Sequence, residues 1–168
     1  MKSKKGLIMG VANDRSIAWG IAKKIASEGA KIAFTYQGEA FKKRVQPLAE
    51  SIGSSILIPC DVTDSSNMIN TFEILKNEWG KFDFLVHGIG FSNKDELRGK
   101  YYNTSSENFN QTMHISCYSF TEACKLAEPI MNEGGSIVTL TYYGSEQVMP
   151  HYNVMGVAKA ALEASVRY

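Results

Sequence analysis

The sequence predicts an α/β fold built on a doubly wound parallel sheet with helices on both faces. Three observations carry that prediction. Short apolar runs of strand length alternate with longer segments of helical period along the 168 residues. The short runs are rich in Ile, Leu and Val, as strands covered on both faces are. The first run also ends in a glycine and passes straight into a helical period, the local order that opens a Rossmann-type sheet.

The elements follow in order. Gly6–Gly10 is a first strand ending in glycine. From Ser16 the period becomes helical, with Ile17, Ile21 and Ile25 recurring every four residues beside Ala18, Ala22 and Ala26. Gly29 stops that helix. Lys31–Tyr36 is a second strand, and a Lys- and Glu-rich helix covers Glu39–Ser51. Ser55–Pro59 is strand three, Ser65–Trp79 a helix and Phe82–Val86 strand four. A polar, Gly-containing loop spans Gly88–Tyr102, and one long helix is expected over Ser106–Met131. Gly134-Gly135 reads as a turn and Ser136–Thr141 as strand five. A last helix starts near His151 and is still running at Tyr168. Five strands, against the six or more of a full doubly wound dinucleotide fold, predict that residues 1–168 are one dinucleotide-binding domain, incomplete at its C-terminus.

Composition excludes several classes. Eighteen basic and seventeen acidic side chains leave a formal charge of +1, so no basic field suggests nucleic acid and no acidic tail suggests disorder. The three cysteines, Cys60, Cys117 and Cys124, form no CxxC and predict neither a disulfide framework nor a metal site. No apolar run approaches the roughly 20 residues of a membrane span, and no signal-peptide core follows the basic start. The expected location is the cytoplasm.

The candidate chemistry lies at the carboxyl ends of the strands. Gly10 allows a tight turn, and the helix beginning at Ser16 and Ile17 offers free N–H groups and a positive dipole end to a pyrophosphate. Gln37, at the end of strand two, can hydrogen-bond a ribose hydroxyl and leans toward NADH over NADPH; Lys42, Lys43 and Arg44 weaken that lean unless they form a solvated helix face. Asp61 could accept from an adenine amino group with Val62 packing on the ring, or Asp61 could simply make a turn before a helix. Gly88-Ile89-Gly90 lets backbone approach a ligand, while His87 alone reads as a core histidine. Tyr152 and Lys159 fall seven residues apart, two turns along one helix face, with Gly156 between them leaving room for a cofactor. An ammonium beside a phenol favours phenolate and eases proton donation. Tyr142 stands at the end of strand five.

Together, Gly10-Val11-Ala12 with Ser16-Ile17-Ala18-x-Gly20, Thr35-Tyr36-Gln37, Cys60-Asp61-Val62 and Tyr152-x6-Lys159 around Asn153-Val154-Met155-Gly156 resemble the NADH-dependent enoyl-[acyl-carrier-protein] reductases. These are divergent short-chain dehydrogenases/reductases of bacterial fatty-acid synthesis. Where ordinary members of that superfamily carry TGxxxGxG, Asn-Ala-Gly, a catalytic Ser and Tyr-x3-Lys, this chain has the longer Gly10 loop, Gly88-Ile89-Gly90, Tyr142 and Tyr152-x6-Lys159. The resemblance implies that Gly10, Ser16, Ile17, Gln37, Asp61, Val62, Ile89 and Lys159 contact NADH. It implies that Ser92 borders the acyl substrate, that Tyr152 serves the enolate oxygen and that Tyr142 lines the site. It further implies acyl carrier protein as partner and a homotetramer for the complete protein. Two alternatives stand beside it: a superfamily member acting on a ketone or alcohol, and a truncated chain that is inactive or only binds cofactor.

Overall fold

The computed structural model describes all residues from Met1 to Tyr168. Five strands form one parallel sheet in the order β3-β2-β1-β4-β5. They are β1 (Lys5–Met9), β2 (Lys31–Tyr36), β3 (Ile56–Pro59), β4 (Phe82–His87) and β5 (Met131–Thr139). The order reverses beside β1, which makes the sheet doubly wound, as the alternating pattern predicts. Between strands run α1 (Ile17–Ser27), α2 (Gly38–Ser51), α3 (Ser65–Trp79), α4 (Ser106–Met113) and α5 (Ser119–Ala127), and α6 (Asn153–Arg167) comes last. No helix is long and apolar enough to cross a membrane, and no group of three or more His, Cys, Asp or Glu gathers that could hold a metal ion.

The chain divides into two compact units. Met1–Gly88 with Ala123–Thr139 holds the sheet. Its centre is Leu7, Ile8, Met9, Phe34 and Leu85, all with no exposed surface. Burying each such side chain stabilises by about 1.5–3 kcal/mol. Helix α1 turns Ala18, Trp19 and Ala22 inward with Ile21, Ile25 and Ala26 packed beside them, so the apolar stripe that the sequence suggests faces the core except for Ile17, which is 69% exposed. The second unit is Ile89–Glu122 with Leu140–Tyr168. There α6 buries Val154, Ala158 and Leu162 and packs on a turn that carries buried Ile115 and Cys117.

Three expectations about the elements change. The long helix expected over Ser106–Met131 is continuous to Ile130 but changes pitch along its length: α4 ends at Met113, a π-turn occupies His114–Tyr118, α5 runs on to Ala127 and a 3-10 turn covers Glu128–Ile130. Gly134-Gly135 is not a turn ahead of strand five but lies within β5. There Phe82 pairs with Met131 and Phe84 with Ser136, so the strand bulges between them, with Gly134 at φ +73. The loop after β4 contains two short 3-10 turns, Lys94–Leu97 and Tyr101–Asn103.

Candidate active site

In the first unit the turn after β1 is shaped by Gly10 and Ser16. Gly10 has φ +94, and a Cβ there would run into the Gly88 carbonyl of β4's end. The approach is backbone to backbone, so no rotamer change could relieve it. Gly10→Ala should therefore destabilise the fold by about 2–4 kcal/mol, read as a lower denaturant midpoint. An unchanged midpoint would mean the turn is looser than this geometry.

Ser16 precedes α1 but does not cap it. Its Oγ instead accepts from the N–H groups of Ala12 at 3.0 Å and Asn13 at 3.1 Å. That gathers the loop and leaves the helix N-terminus without a side-chain cap. Such an end offers N–H groups and positive dipole to an anion, and the serine proton is still available to donate.

At the ends of β2 and β3, Gln37 Nε2 donates to Asp61 Oδ2 at 2.8 Å. Asp61 Oδ1 accepts from the Thr63 N–H and hydroxyl, the turn-making bonds anticipated for it. Val62 is 7% exposed, so its side chain is mostly core and offers a ring little apolar surface. Lys42 lies 3.6 Å from Glu39 and 5.9 Å from the Tyr36 ring centre, already provided with neighbours. His87 is fully buried, and its Nδ1 sits 3.0 Å from Thr139 Oγ1, a bond that ties β4 to β5.

In the second unit, Lys159 is buried on α6 and its Nζ donates to the Leu140 carbonyl at 2.7 Å. Burial lowers its pKa from the ordinary 10.5, against a smaller opposing effect of Cys117. A Cβ on Gly90 would sit 3.7 Å from that Nζ and 3.6 Å from Met155 Cε, in ordinary contact, so the Ile89–Gly90 backbone runs beside the ammonium.

Tyr152 stands just before α6 rather than within it, because the helix begins at Asn153. Its ring meets Tyr142 edge-on with centres 4.8 Å apart. The Tyr152 phenol is raised above the usual value of 10, first by burial and then by Tyr142. Gly156 borders open space and also makes a close contact: a Cβ there would lie 2.6 Å from the Gly144 carbonyl. A Cβ on Gly144 would enter the Tyr152 ring. The two glycines thus let the β5–α6 connection close on the phenol ring. A cavity of about 390 Å³ opens beside it, lined by Tyr101, Gly144–Met149, Tyr152, Asn153, Gly156, Val157 and Ala160.

Ser92 is partly buried, and its hydroxyl accepts from Thr112 at 2.9 Å and from Asn108 Nδ2 at 3.2 Å. In this arrangement it anchors the loop to α4. A residue that the sequence reading missed is Ser116, fully buried in the π-turn. Its hydroxyl accepts from the Phe91 N–H at 2.9 Å, donates to the Phe91 carbonyl at 3.0 Å and lies 3.6 Å from the Met155 sulfur. Ser116→Ala would strip both bonds from a backbone segment next to Lys159. The expected cost is about 1–3 kcal/mol of stability, measured by thermal or denaturant unfolding. A neutral substitution would show that water replaces the hydroxyl without loss.

Comparison with known proteins agrees with this geometry. The family model described as enoyl-(acyl carrier protein) reductase matches residues 10–168. The chain is 62% identical over 168 residues to a Rhizobium meliloti protein named enoyl-[acyl-carrier-protein] reductase [NADH] 1. It covers all of this chain and 62% of that protein, so the chain spans under two thirds of this relative's length. The crystal structure of the Anaplasma phagocytophilum reductase in complex with NAD superposes with a TM-score of 0.97 at 60% identity, over 100% of this chain and 65% of that one. The Bacillus cereus enoyl-acyl carrier protein reductase, solved with NADP+ and an indole naphthyridinone, matches at TM-score 0.97 and 46% identity, over 99% of this chain and 66% of its own.

Proposed function

The chain belongs to the enoyl-(acyl carrier protein) reductase family, and from that premise we propose that it reduces the trans-2-enoyl thioester of acyl carrier protein to the saturated acyl thioester with NADH, in bacterial fatty-acid synthesis. The observation that carries this reading is Tyr142. After β5, where ketone and alcohol reductases of the superfamily place a serine hydroxyl, a tyrosine ring packs edge-on against Tyr152. That arrangement puts an aromatic ring where those enzymes have a hydroxyl to polarise a carbonyl, and leaves the Tyr152 phenol to serve the thioester oxygen.

In the first unit the residues present fit the pyrophosphate and adenosine portion of a dinucleotide. The Gly10 turn, with the loop amides gathered by Ser16, and the uncapped start of α1 at Ile17 fit a pyrophosphate. Gln37, held by Asp61, presents hydrogen-bonding atoms to a ribose. A carboxylate so close opposes a 2′-phosphate, and Lys42 is already beside Glu39, which favours NADH over NADPH. By resemblance to the family Asp61 would border the adenine, while the largely buried Val62 would offer it only a small edge. In the second unit, by resemblance to the family, Ile89 would back the nicotinamide and Lys159 would hold its ribose. When bound there, NADH would supply the hydride for C3 of the enoyl group.

The chain's own residues then act on the substrate. Tyr152, kept protonated by its raised pKa, donates a hydrogen bond to the thioester oxygen as charge develops there. Lys159, desolvated, has its ammonium fixed by the Leu140 carbonyl, which leaves two N–H groups for ribose hydroxyls. Tyr142 walls one side, and Ser92 holds the loop that borders the acyl group. The same reading makes the complete protein a cytoplasmic homotetramer, on the strength of its resemblance to the family.

The test is direct. Purified protein is given NADH and crotonyl thioester, and cofactor absorbance is followed. Consumption with formation of butyryl thioester supports the proposal. Oxidation of alcohols by NAD without enoyl reduction would favour the carbonyl-reductase reading instead.

A further inference from the structure

We propose that Asn153 is a positioning residue that ties the loop Lys94–Asn103 to Tyr152. The inference rests on the assignment of Tyr152 above. His151 has φ +59 and Asn153 φ +33, on either side of Tyr152 at φ −120. Apart from Ser3 near the N-terminus, they are the only non-glycine residues with positive φ. Histidine and asparagine tolerate that region better than most side chains, yet two such residues bracketing one tyrosine mark a backbone held in place by its surroundings.

What holds it is visible on the asparagine. Both amide hydrogens of Asn153 are used: Nδ2 donates to the Glu96 carbonyl at 3.2 Å and to the Gly99 carbonyl at 3.4 Å. The loop that receives them is itself anchored, because the Glu96 carboxylate accepts from the N–H and the hydroxyl of Ser105 at 2.7 and 3.0 Å. Two residues beyond Gly99 comes Tyr101, which lines the cavity that Tyr152 also borders. On the other side the Tyr152 ring is confined by Tyr142 and Gly144. The phenol is therefore positioned from two directions, by ring packing and by a backbone held through Asn153. A group that enters the cavity and moves the loop is felt at Tyr152 through the same two bonds.

Only an amide fits this role. Aspartate has the same shape but no hydrogen to donate to two carbonyls, and glycine accepts the positive φ but has no side chain. The test uses the full-length protein as Asn153→Asp and Asn153→Gly, with ¹³C-labelled tyrosine and the Tyr152 signal assigned by its loss in Tyr152→Phe. In the native protein the Tyr142 ring should displace that signal. Both variants should bring it toward the free-tyrosine position, while kcat for crotonyl thioester falls about tenfold and KM for NADH stays within about twofold. An unmoved signal overturns the proposal, and so does a moved signal with unchanged kcat. If the native protein reduces no thioester, the assignment of function fails, while the tyrosine signal still decides whether Asn153 positions the ring.

Discussion

Replacing Lys159 with methionine is expected to weaken NADH binding by at least about tenfold while the protein stays folded. Methionine matches the length of the side chain and keeps its packing beside Gly90 and Met155. It removes the ammonium and its bond to the Leu140 carbonyl. Losing that bond costs stability, but no desolvated charge then remains buried, so the two effects oppose each other and the net change stays within about 1–2 kcal/mol. Cofactor affinity has no such offset, because the ribose hydroxyls lose a charged donor. The pH dependence carries the same signature. Burial lowers the Lys159 pKa below 10.5, so native affinity should fall as pH rises through that lowered value, earlier than for an exposed lysine. The methionine protein should show no such fall. Calorimetric titration with NADH across pH checks both, and equal affinity in the two proteins would remove Lys159 from the cofactor site.

Tyr152→Phe should lower kcat for an enoyl thioester by about 10²-fold to 10³-fold with little change in KM for NADH. Phenylalanine keeps the ring against Tyr142, Gly144 and Gly156 and removes only the hydroxyl. The loss therefore reports what the phenol does as charge develops on the thioester oxygen. The native phenol is raised above 10 by burial and by Tyr142, so it remains a donor throughout the neutral range. A drop of kcat and cofactor affinity together would instead mean that the ring, not the hydroxyl, had been disturbed. Steady-state kinetics with crotonyl thioester separate the two.

The parts of the structure that could be read in advance are those set by local chemistry. Leu7, Ile8 and Met9 form a strand buried on both faces, and the alternation with helical periods leads to the observed sheet. Gly10 is legible because its φ and its contact with Gly88 both need glycine. The π-turn at His114–Tyr118 is not legible, since one extra residue in a helical turn leaves no mark in hydrophobic period. Ser116 was hidden for the same reason: its role arises only where that turn meets Phe91. Spacing placed Tyr152 and Lys159 on one helix face, but positive φ at His151 and Asn153 starts the helix one residue later. Gly156, which the spacing assigns to a ligand, also serves the contact with Gly144, a long-range approach that no local pattern reveals. The Gln37–Asp61 bond joins two strand ends 24 residues apart and appears only in the fold.

The most direct test of the whole account is the fate of the hydride. The protein is incubated with NADH deuterated at the transferring position of the nicotinamide and with a trans-2-enoyl thioester of acyl carrier protein, and the product is examined by NMR and mass spectrometry. The account predicts a saturated acyl thioester with one deuterium at C3 and a solvent proton at C2. Unreduced thioester, or deuterium delivered instead to the carbonyl carbon of a ketone offered in competition, would contradict it.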